Sequence, residues 1–168
     1  MNISDKKQKG TAAVEFALVA VAFFTVLFSI IEFGYMYWVN LTMQHAVREG
    51  ARFAVVANPS SYQVTPSNPA SPAVQRCNAI RTAIQDNSMG LYDRLNIQFA
   101  DLTFSTVDAS TGNIVFLGNA ADACGAADQI IMIDLKCTLP TITPLMAPFF
   151  TNGAYTFHVG ATMKNEPL

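Results

Sequence analysis

The chain has few charged residues, and they are unevenly placed. Asp, Glu, Lys and Arg make up 13% of its 168 residues, against about 25% in typical soluble proteins. Between Gly10 and Val47 the only formally charged side chains are Glu15 and Glu32. The deficit is local, since the rest of the chain has the composition of an ordinary polar domain. A local deficit of this kind indicates a helix in lipid.

The sequence also lacks the patterns that mark common catalytic and metal sites. It has no GxSxG, HExxH, CxxC or phosphate-binding glycine loop, and its two histidines, His45 and His158, lie far apart. Asp122 and Asp128 flank Cys124 and could suggest a calcium site, but small-residue loops often carry solvated aspartates. The net charge of −2 gives no indication of a nucleic-acid partner. We therefore expect no enzyme activity, no cofactor, no metal and no nucleic-acid partner.

What is present is an apolar run near the N-terminus. Residues 16–31 contain no charged or strongly polar side chain. As a helix, residues 11–39 would be about 43 Å long, which is enough to cross a hydrocarbon core of ~30 Å. Tyr35, Tyr37 and Trp38 suit the far membrane interface, where aromatic side chains collect. We predict a transmembrane segment over residues 12–39.

The basic residues before this run set its predicted orientation. Lys6, Lys7 and Lys9 precede it and, by the positive-inside rule, stay in the cytoplasm. The C-terminal body should then face the periplasm or the cell exterior. Cleavage as an ordinary secretory signal is less favoured, because the weak A-x-A match at Ala20-Val21-Ala22 lies inside the apolar run, and the run exceeds a typical signal-peptide core.

Beyond the membrane the helix is predicted to continue to residue 57. A stripe of small and apolar residues recurs with helical spacing, while polar residues occupy the other faces. The stripe consists of Met43, Val47, Gly50, Ala51 and Ala54. Small residues such as Gly34 and Gly50 either allow close helix contact or are tolerated at a cost in helix propensity. The sequence alone leaves this choice open.

The body is predicted to contain one further helix and about four strands. A proline-rich loop over residues 58–72 leads to a helix that begins at Pro72 and ends at Gly90. Alternating apolar residues then predict strands at residues 95–99, 102–106, 131–137 and 155–161, with 114–117 returning as a hairpin strand. The fold class is α+β: a long N-terminal helix and a small domain of one helix on an antiparallel sheet of about four strands. The predicted parts are residues 1–10, 11–57 and 58–168.

The junction at Gly10 is the most specific feature. Lysines and a glycine are followed at once by Thr11 and an apolar helix whose fifth residue is Glu15. This arrangement resembles a prepilin processing site, which implies cutting after Gly10 and a helix that stays attached. A carboxylate in apolar surroundings needs a partner, and cutting would create the amine of Thr11. In pilin assemblies such a glutamate is thought to pair with the amine of a neighbouring subunit.

Each glutamate also has a simpler interpretation. Glu15 could be solvated by headgroups at the cytoplasmic interface. Glu32 lies about 25 Å further along the helix axis, so it should reach the opposite interface, where it either snorkels beside the aromatic residues or makes a second assembly contact. We retain both Glu15 and Glu32 as candidate assembly residues.

Three cysteines lie in the body, where an oxidising compartment permits one disulfide and one free thiol. A Cys77–Cys137 bridge would tie the second helix to the sheet, and Cys124 could instead pair with either one. Cys137 could equally be a buried small hydrophobe.

The N-terminal third resembles a known family. Residues 10–18 (GTAAVEFAL), the Glu32-Phe33-Gly34 sequence, residues 46–54 (AVREGARFA) and the ending at residues 161–167 are similar to TadE-like pseudopilins (TadE or TadF) of the tight-adherence (Flp) pilus system. The resemblance implies cleavage by a prepilin peptidase and a minor-pilin role in pilus assembly, adherence, biofilm formation or secretion. It also implies an inner-membrane protein with a periplasmic domain, or a subunit of an extracellular pilus, whose partners are other pilins and the assembly machinery.

Two other functions predict different N-termini. A single-pass membrane-anchored periplasmic binding protein would keep Met1. A secreted enzyme would lose the whole apolar run. Only the pilin interpretation explains why the lysines, Gly10 and Glu15 are so closely spaced.

Overall fold

The computed structural model describes residues 4–56, 72–119, 123–125 and 128–165. The predicted loop over residues 58–71, Ala57, Asp122 and the family-like ending beyond Asn165 lie outside the described residues. The chain divides into two compact units: Met1–Tyr37 with Pro140–Tyr155, and Trp38–Leu139 with Thr156–Leu168. They are called here the anchor unit and the body unit.

The first element is the long helix α1, Ser4–Val56. It begins before the predicted start at Thr11, and it contains no proline that would remove a backbone donor. Thr25 and Ser29 bond the carbonyls of Val21 and Thr25 at 2.7 Å, one turn earlier, so their hydroxyls are satisfied within the helix. The prediction of one long helix is confirmed.

Two helices follow in the body unit, α2 (Pro72–Asn87) and the short α3 (Leu91–Arg94). The predicted start of α2 at Pro72 is confirmed. The predicted end at Gly90 is wrong, because α2 already ends at Asn87 and Gly90 precedes α3 with φ 78°, a conformation that favours glycine.

Four strands form one sheet in the order β2-β1-β3-β4. They are β1 (Leu102–Val107), β2 (Ile114–Gly118), β3 (Ile130–Pro140) and β4 (Ala154–Lys164). β1 pairs antiparallel with β2 and with β3. The four-stranded antiparallel sheet is confirmed, and β3 and β4 extend beyond the alternating runs that predicted them.

The strand predicted at residues 95–99 is wrong. Asn96 adopts φ 50°, which breaks an extended run, and the Ile97 N–H donates to the Tyr92 carbonyl at 3.2 Å. Leu95 and Ile97 are nevertheless buried. Their alternation therefore reflects burial after a short helix and not pairing in the sheet.

The core of the body unit includes the amphipathic part of α1. Of the predicted stripe, Met43, Val47, Gly50 and Ala51 are buried, and the side chain of Ala54 lies outside the described part. The core also includes α3 with the turn after it, and the apolar faces of α2 and the sheet. Among the buried side chains of α2 and the sheet are Cys77, Ile80, Ile84, Leu102, Phe104, Ile131, Ile133, Leu135, Phe157 and Val159.

Candidate assembly site on the N-terminal helix

The predicted processing junction is exposed. Gly10 and Thr11 both lie on the surface of α1, and a Cβ placed on Gly10 would meet nothing within 4 Å. The side chains of Lys6, Lys7 and Lys9 lie outside the described part of the structure. Since no other part of the described chain covers Gly10, the junction is sterically open to another protein.

Glu15 is exposed as well, among apolar neighbours. Val14 and Phe16 beside it are 61% and 74% exposed. A carboxylate on such a surface meets water, lipid headgroups or another protein, and inside lipid it requires a positive or hydrogen-bonding partner. The structure therefore leaves Glu15 available to a partner from outside the chain.

The first half of α1 exposes large apolar side chains over its length. They are Val14, Phe16, Leu18, Val19, Val21, Phe23, Phe24, Val26, Leu27, Phe28, Ile30, Ile31 and Phe33. Among the described residues, α1 is the one helix that is long and apolar enough to cross a membrane, over the range Gly10–Arg52. An apolar surface of this extent suggests a single-pass membrane anchor, because water would otherwise contact all of it.

Glu32 lies in a different environment, since it is only 1% exposed. Its Oε1 accepts a hydrogen bond from the Ile142 backbone N–H at 2.8 Å. Its Oε2 accepts bonds from the Thr143 N–H at 3.0 Å and from the Thr143 hydroxyl at 2.9 Å. All three residues belong to the anchor unit. The carboxylate therefore fixes the segment that follows β3 onto α1, a contact that hydrogen bonds to a charged group make strong.

This contact was not predicted from the sequence. The snorkelling interpretation of Glu32 is wrong, because its oxygens bond to the same chain. A role for Glu32 in assembly stays a prediction. One sequence signal could have pointed to a partner for this residue: the segment Pro140–Tyr155 carries no charged side chain, which is unusual for a loop outside a membrane.

The two glycines of α1 differ in their surroundings. A Cβ on Gly50 would lie 2.5 Å from Ile84 Cγ1 and 3.2 Å from the Ile80 carbonyl oxygen, whereas a Cβ on Gly34 would meet nothing within 4 Å. Gly50 therefore permits close packing of α2 on α1 within the body unit. At Gly34 the described chain imposes no such requirement.

The cysteines divide into one bonded pair and one thiol. Cys77 in α2 is bonded to Cys124, at a sequence separation of 47, and Cys137 is free and buried. Of the alternatives left open by the sequence, the structure thus contains Cys77–Cys124. Burial, together with the nearby Asp101 and Asp134 carboxylates, raises the pKa of the Cys137 thiol from 9.0 to about 12. A thiol held neutral in this way is a poor nucleophile.

The polar side chains described in the body unit do not form a catalytic or metal-binding cluster. His158 Nδ1 lies 2.7 Å from Asp134 Oδ1, but both side chains are about half exposed, and they occupy neighbouring strands of the sheet. Within the ranges that the structure describes, no group of three or more His, Cys, Asp or Glu side chains could hold a metal ion.

A comparison with known families gave a match to the N-terminal helix. Residues 10–52 match the family model described as TadE-like protein. Comparison with curated proteins and with solved structures gave no match. The matched range begins at Gly10 and includes Glu15, the exposed apolar surface, Glu32 and Gly50, so it coincides with the part of α1 on which the candidate site is built. From Gly10 to Arg52 the chain is therefore similar to TadE-like proteins, and this similarity suggests involvement with the tight-adherence pilus system.

Proposed function

We propose that the chain is a minor pilin, or pseudopilin, that takes part in assembling a tight-adherence (Flp type IV) pilus. Its contribution to adherence, biofilm formation or secretion is structural and not catalytic. The observation that carries the proposal is the match of residues 10–52 to TadE-like proteins, which begins at the glycine of the predicted cleavage site.

The geometry of the junction supports processing there. Gly10 and Thr11 are exposed, and a prepilin peptidase that cuts after Gly10 would leave α1 attached to the body. The new N-terminus would be the amine of Thr11, which is positively charged at neutral pH. In this proposal the lysines hold the junction on the cytoplasmic side of the inner membrane, and the body faces the periplasm.

After processing, Glu15 would provide the next step of assembly, which is pairing with a neighbouring subunit. It is exposed on an apolar helix surface, so a carboxylate in lipid would be stabilised by a cation from a neighbouring subunit. The Thr11 amine of that subunit is such a cation. Uncut chains cannot supply it, and assembly would therefore wait for processing. Glu32 is less suited to this step, because its oxygens already accept three hydrogen bonds from Ile142 and Thr143.

Glu15→Ala tests this proposal in cells that make the pilus. We expect the variant to be cut normally, to remain in the membrane and to be lost from the assembled pilus complex, because only the intersubunit pairing is removed. Glu49→Ala is the matched control, since it removes a carboxylate from the same helix whose partner is Arg52 at 3.2 Å in an exposed pair; such pairs contribute little. Normal assembly of Glu15→Ala would contradict the proposed pairing.

A further inference from the structure

The segment Pro140–Tyr155 of the anchor unit has an unusual composition and surface. It has no charged residue, and three of its apolar side chains point outward: Ile142 is 55% exposed, Leu145 43% and Phe149 76%. A loop in water would normally carry polar residues at such positions. On one short uncharged segment, these exposed side chains provide an apolar surface suited to contact with protein or lipid.

The backbone of this segment is folded so that several of its polar groups are paired with one another. Two short 3₁₀ turns, Ala147–Phe149 and Thr151–Gly153, shape it. The Thr141 N–H and hydroxyl both donate to the Gly153 carbonyl, at 3.1 and 3.0 Å. The Gly153 N–H donates to the Phe150 carbonyl at 3.1 Å. Each internal pair lowers the cost of moving this non-helical backbone toward the acyl chains, where water is no longer present to bond it.

Glu32 determines how far along α1 the segment lies. The carboxylate binds the backbone of Ile142 and Thr143, and Glu32 is about 25 Å along the axis from Glu15. If Glu15 is at the cytoplasmic boundary, Glu32 is close to the opposite boundary of a core ~30 Å thick. Phe33 and Tyr37 on the same turn and the next are 57% and 68% exposed, which fits the aromatic level of a membrane interface.

We propose that Pro140–Tyr155 is a membrane-surface segment that inserts Ile142, Leu145 and Phe149 into the headgroup–acyl boundary of the leaflet opposite the cytoplasm. Its partner is the lipid surface itself. The absence of charge means that insertion depends on apolar and aromatic contact and not on anionic headgroups. The inference rests on α1 crossing the membrane, which is part of the proposed function, and it adds a second, independent contact with lipid.

The lipid contact can be measured with single tryptophans in the full chain. The sequence has one tryptophan, Trp38, so Trp38→Phe gives a background into which Phe149→Trp is introduced. The protein is reconstituted in phosphatidylcholine vesicles brominated either near the headgroup or near the bilayer centre. Leu145→Trp in the same background shows whether a second position of the segment is quenched in the same way.

Two control variants provide reference values for the quenching of tryptophan emission. Phe24→Trp in the predicted span, where the native ring is 48% exposed, reports whether α1 is in the bilayer. Phe116→Trp on β2, at 69% exposure against 76% for Phe149, gives the quenching of an exposed aromatic in the body unit. We expect Phe149→Trp to lose more emission with shallow bromine than with deep bromine, and more than Phe116→Trp. Phe24→Trp should show the reverse depth preference.

The other outcomes overturn the inference in distinguishable ways. Quenching of Phe149→Trp by aqueous iodide but not by brominated lipid would place the segment in water. Protection from both quenchers would mean that protein covers it. Either result with normal quenching of Phe24→Trp leaves the membrane span intact and refutes only the surface segment. Absence of lipid quenching at Phe24→Trp as well would refute both the span and the segment.

Discussion

Replacing Glu32 by glutamine tests the contact that joins α1 to the 140–155 segment. The change keeps the size of the side chain but turns one carboxylate oxygen into an NH₂ group. Each oxygen now accepts from a different backbone N–H, those of Ile142 at 2.8 Å and Thr143 at 3.0 Å. One of these N–H groups would therefore face another donor, whichever way the amide is turned.

The expected loss follows from these bonds. A hydrogen bond to a charged group contributes about 1.5–3 kcal/mol, and a buried donor without an acceptor costs about 1–3 kcal/mol. A local loss of about 2 kcal/mol corresponds to roughly 30-fold faster amide exchange. Hydrogen–deuterium exchange of the reconstituted full chain measures this directly in peptides that contain Ile142 and Thr143. Thr143→Val, which removes only the hydroxyl donor, should give a smaller increase.

Glu49→Gln is the control, because the Glu49 Oε1 pairs with the exposed Arg52 on the same helix. It should leave exchange in the 140–155 segment unchanged. If Glu32→Gln also leaves that exchange unchanged, the carboxylate does not hold the segment, and the reasoning about its position along α1 fails.

Three further predictions concern the body unit. Cys77→Ser removes a disulfide that joins residues at a sequence separation of 47 and should lower the free energy of unfolding by about 2–4 kcal/mol, measured by denaturant titration. Gly50→Val places a side chain 2.5 Å from a neighbouring carbon and should cost about 1–3 kcal/mol in the same titration, whereas Gly34→Val should cost little beyond helix propensity. Cys137, whose pKa is raised to about 12, should resist alkylation at ordinary thiol pH until the protein unfolds.

The last prediction has a pH dependence with a defined sign. Because the folded-state pKa of Cys137 is raised above 9.0 to about 12, the unfolded chain releases this proton first as the pH rises. The stability that comes from keeping the thiol neutral is complete below pH 9.0 and is lost between 9.0 and about 12. Rapid alkylation of the native protein would contradict the burial of the Cys137 side chain. Equal free energies of unfolding for Gly50→Val and Gly34→Val would contradict the close packing at Gly50.

Much of the fold could be predicted because its signals are local. The uninterrupted apolar run fixes α1, Pro72 fixes the start of α2, and the alternation at residues 131–137 fixes β3. The wrong strand prediction at residues 95–99 has a local cause as well. Three alternating apolar residues fit a strand and a buried turn equally well, and the composition does not indicate that Asn96 adopts a left-handed conformation.

The non-local features could not be predicted. Glu32 meets Ile142, which is 110 residues later in the chain, and no periodicity reports such a contact. The choice of Cys124 over Cys137 as the partner of Cys77 depends in the same way on how the loop before β3 approaches α2. The candidate processing site, in contrast, depends on a local signal, since the spacing of Gly10, Thr11 and Glu15 in the sequence is what predicts it; it stays a prediction.

The N-terminus of the mature protein tests the central claim most directly. Its sequence and the intact mass are measured on protein from membranes of cells with and without their prepilin peptidase. The account predicts a start at Thr11 when the peptidase is present and at Met1 when it is absent. A start at Met1 in both strains would contradict processing as a pilin, and a start beyond Val39 would contradict retention of the membrane helix.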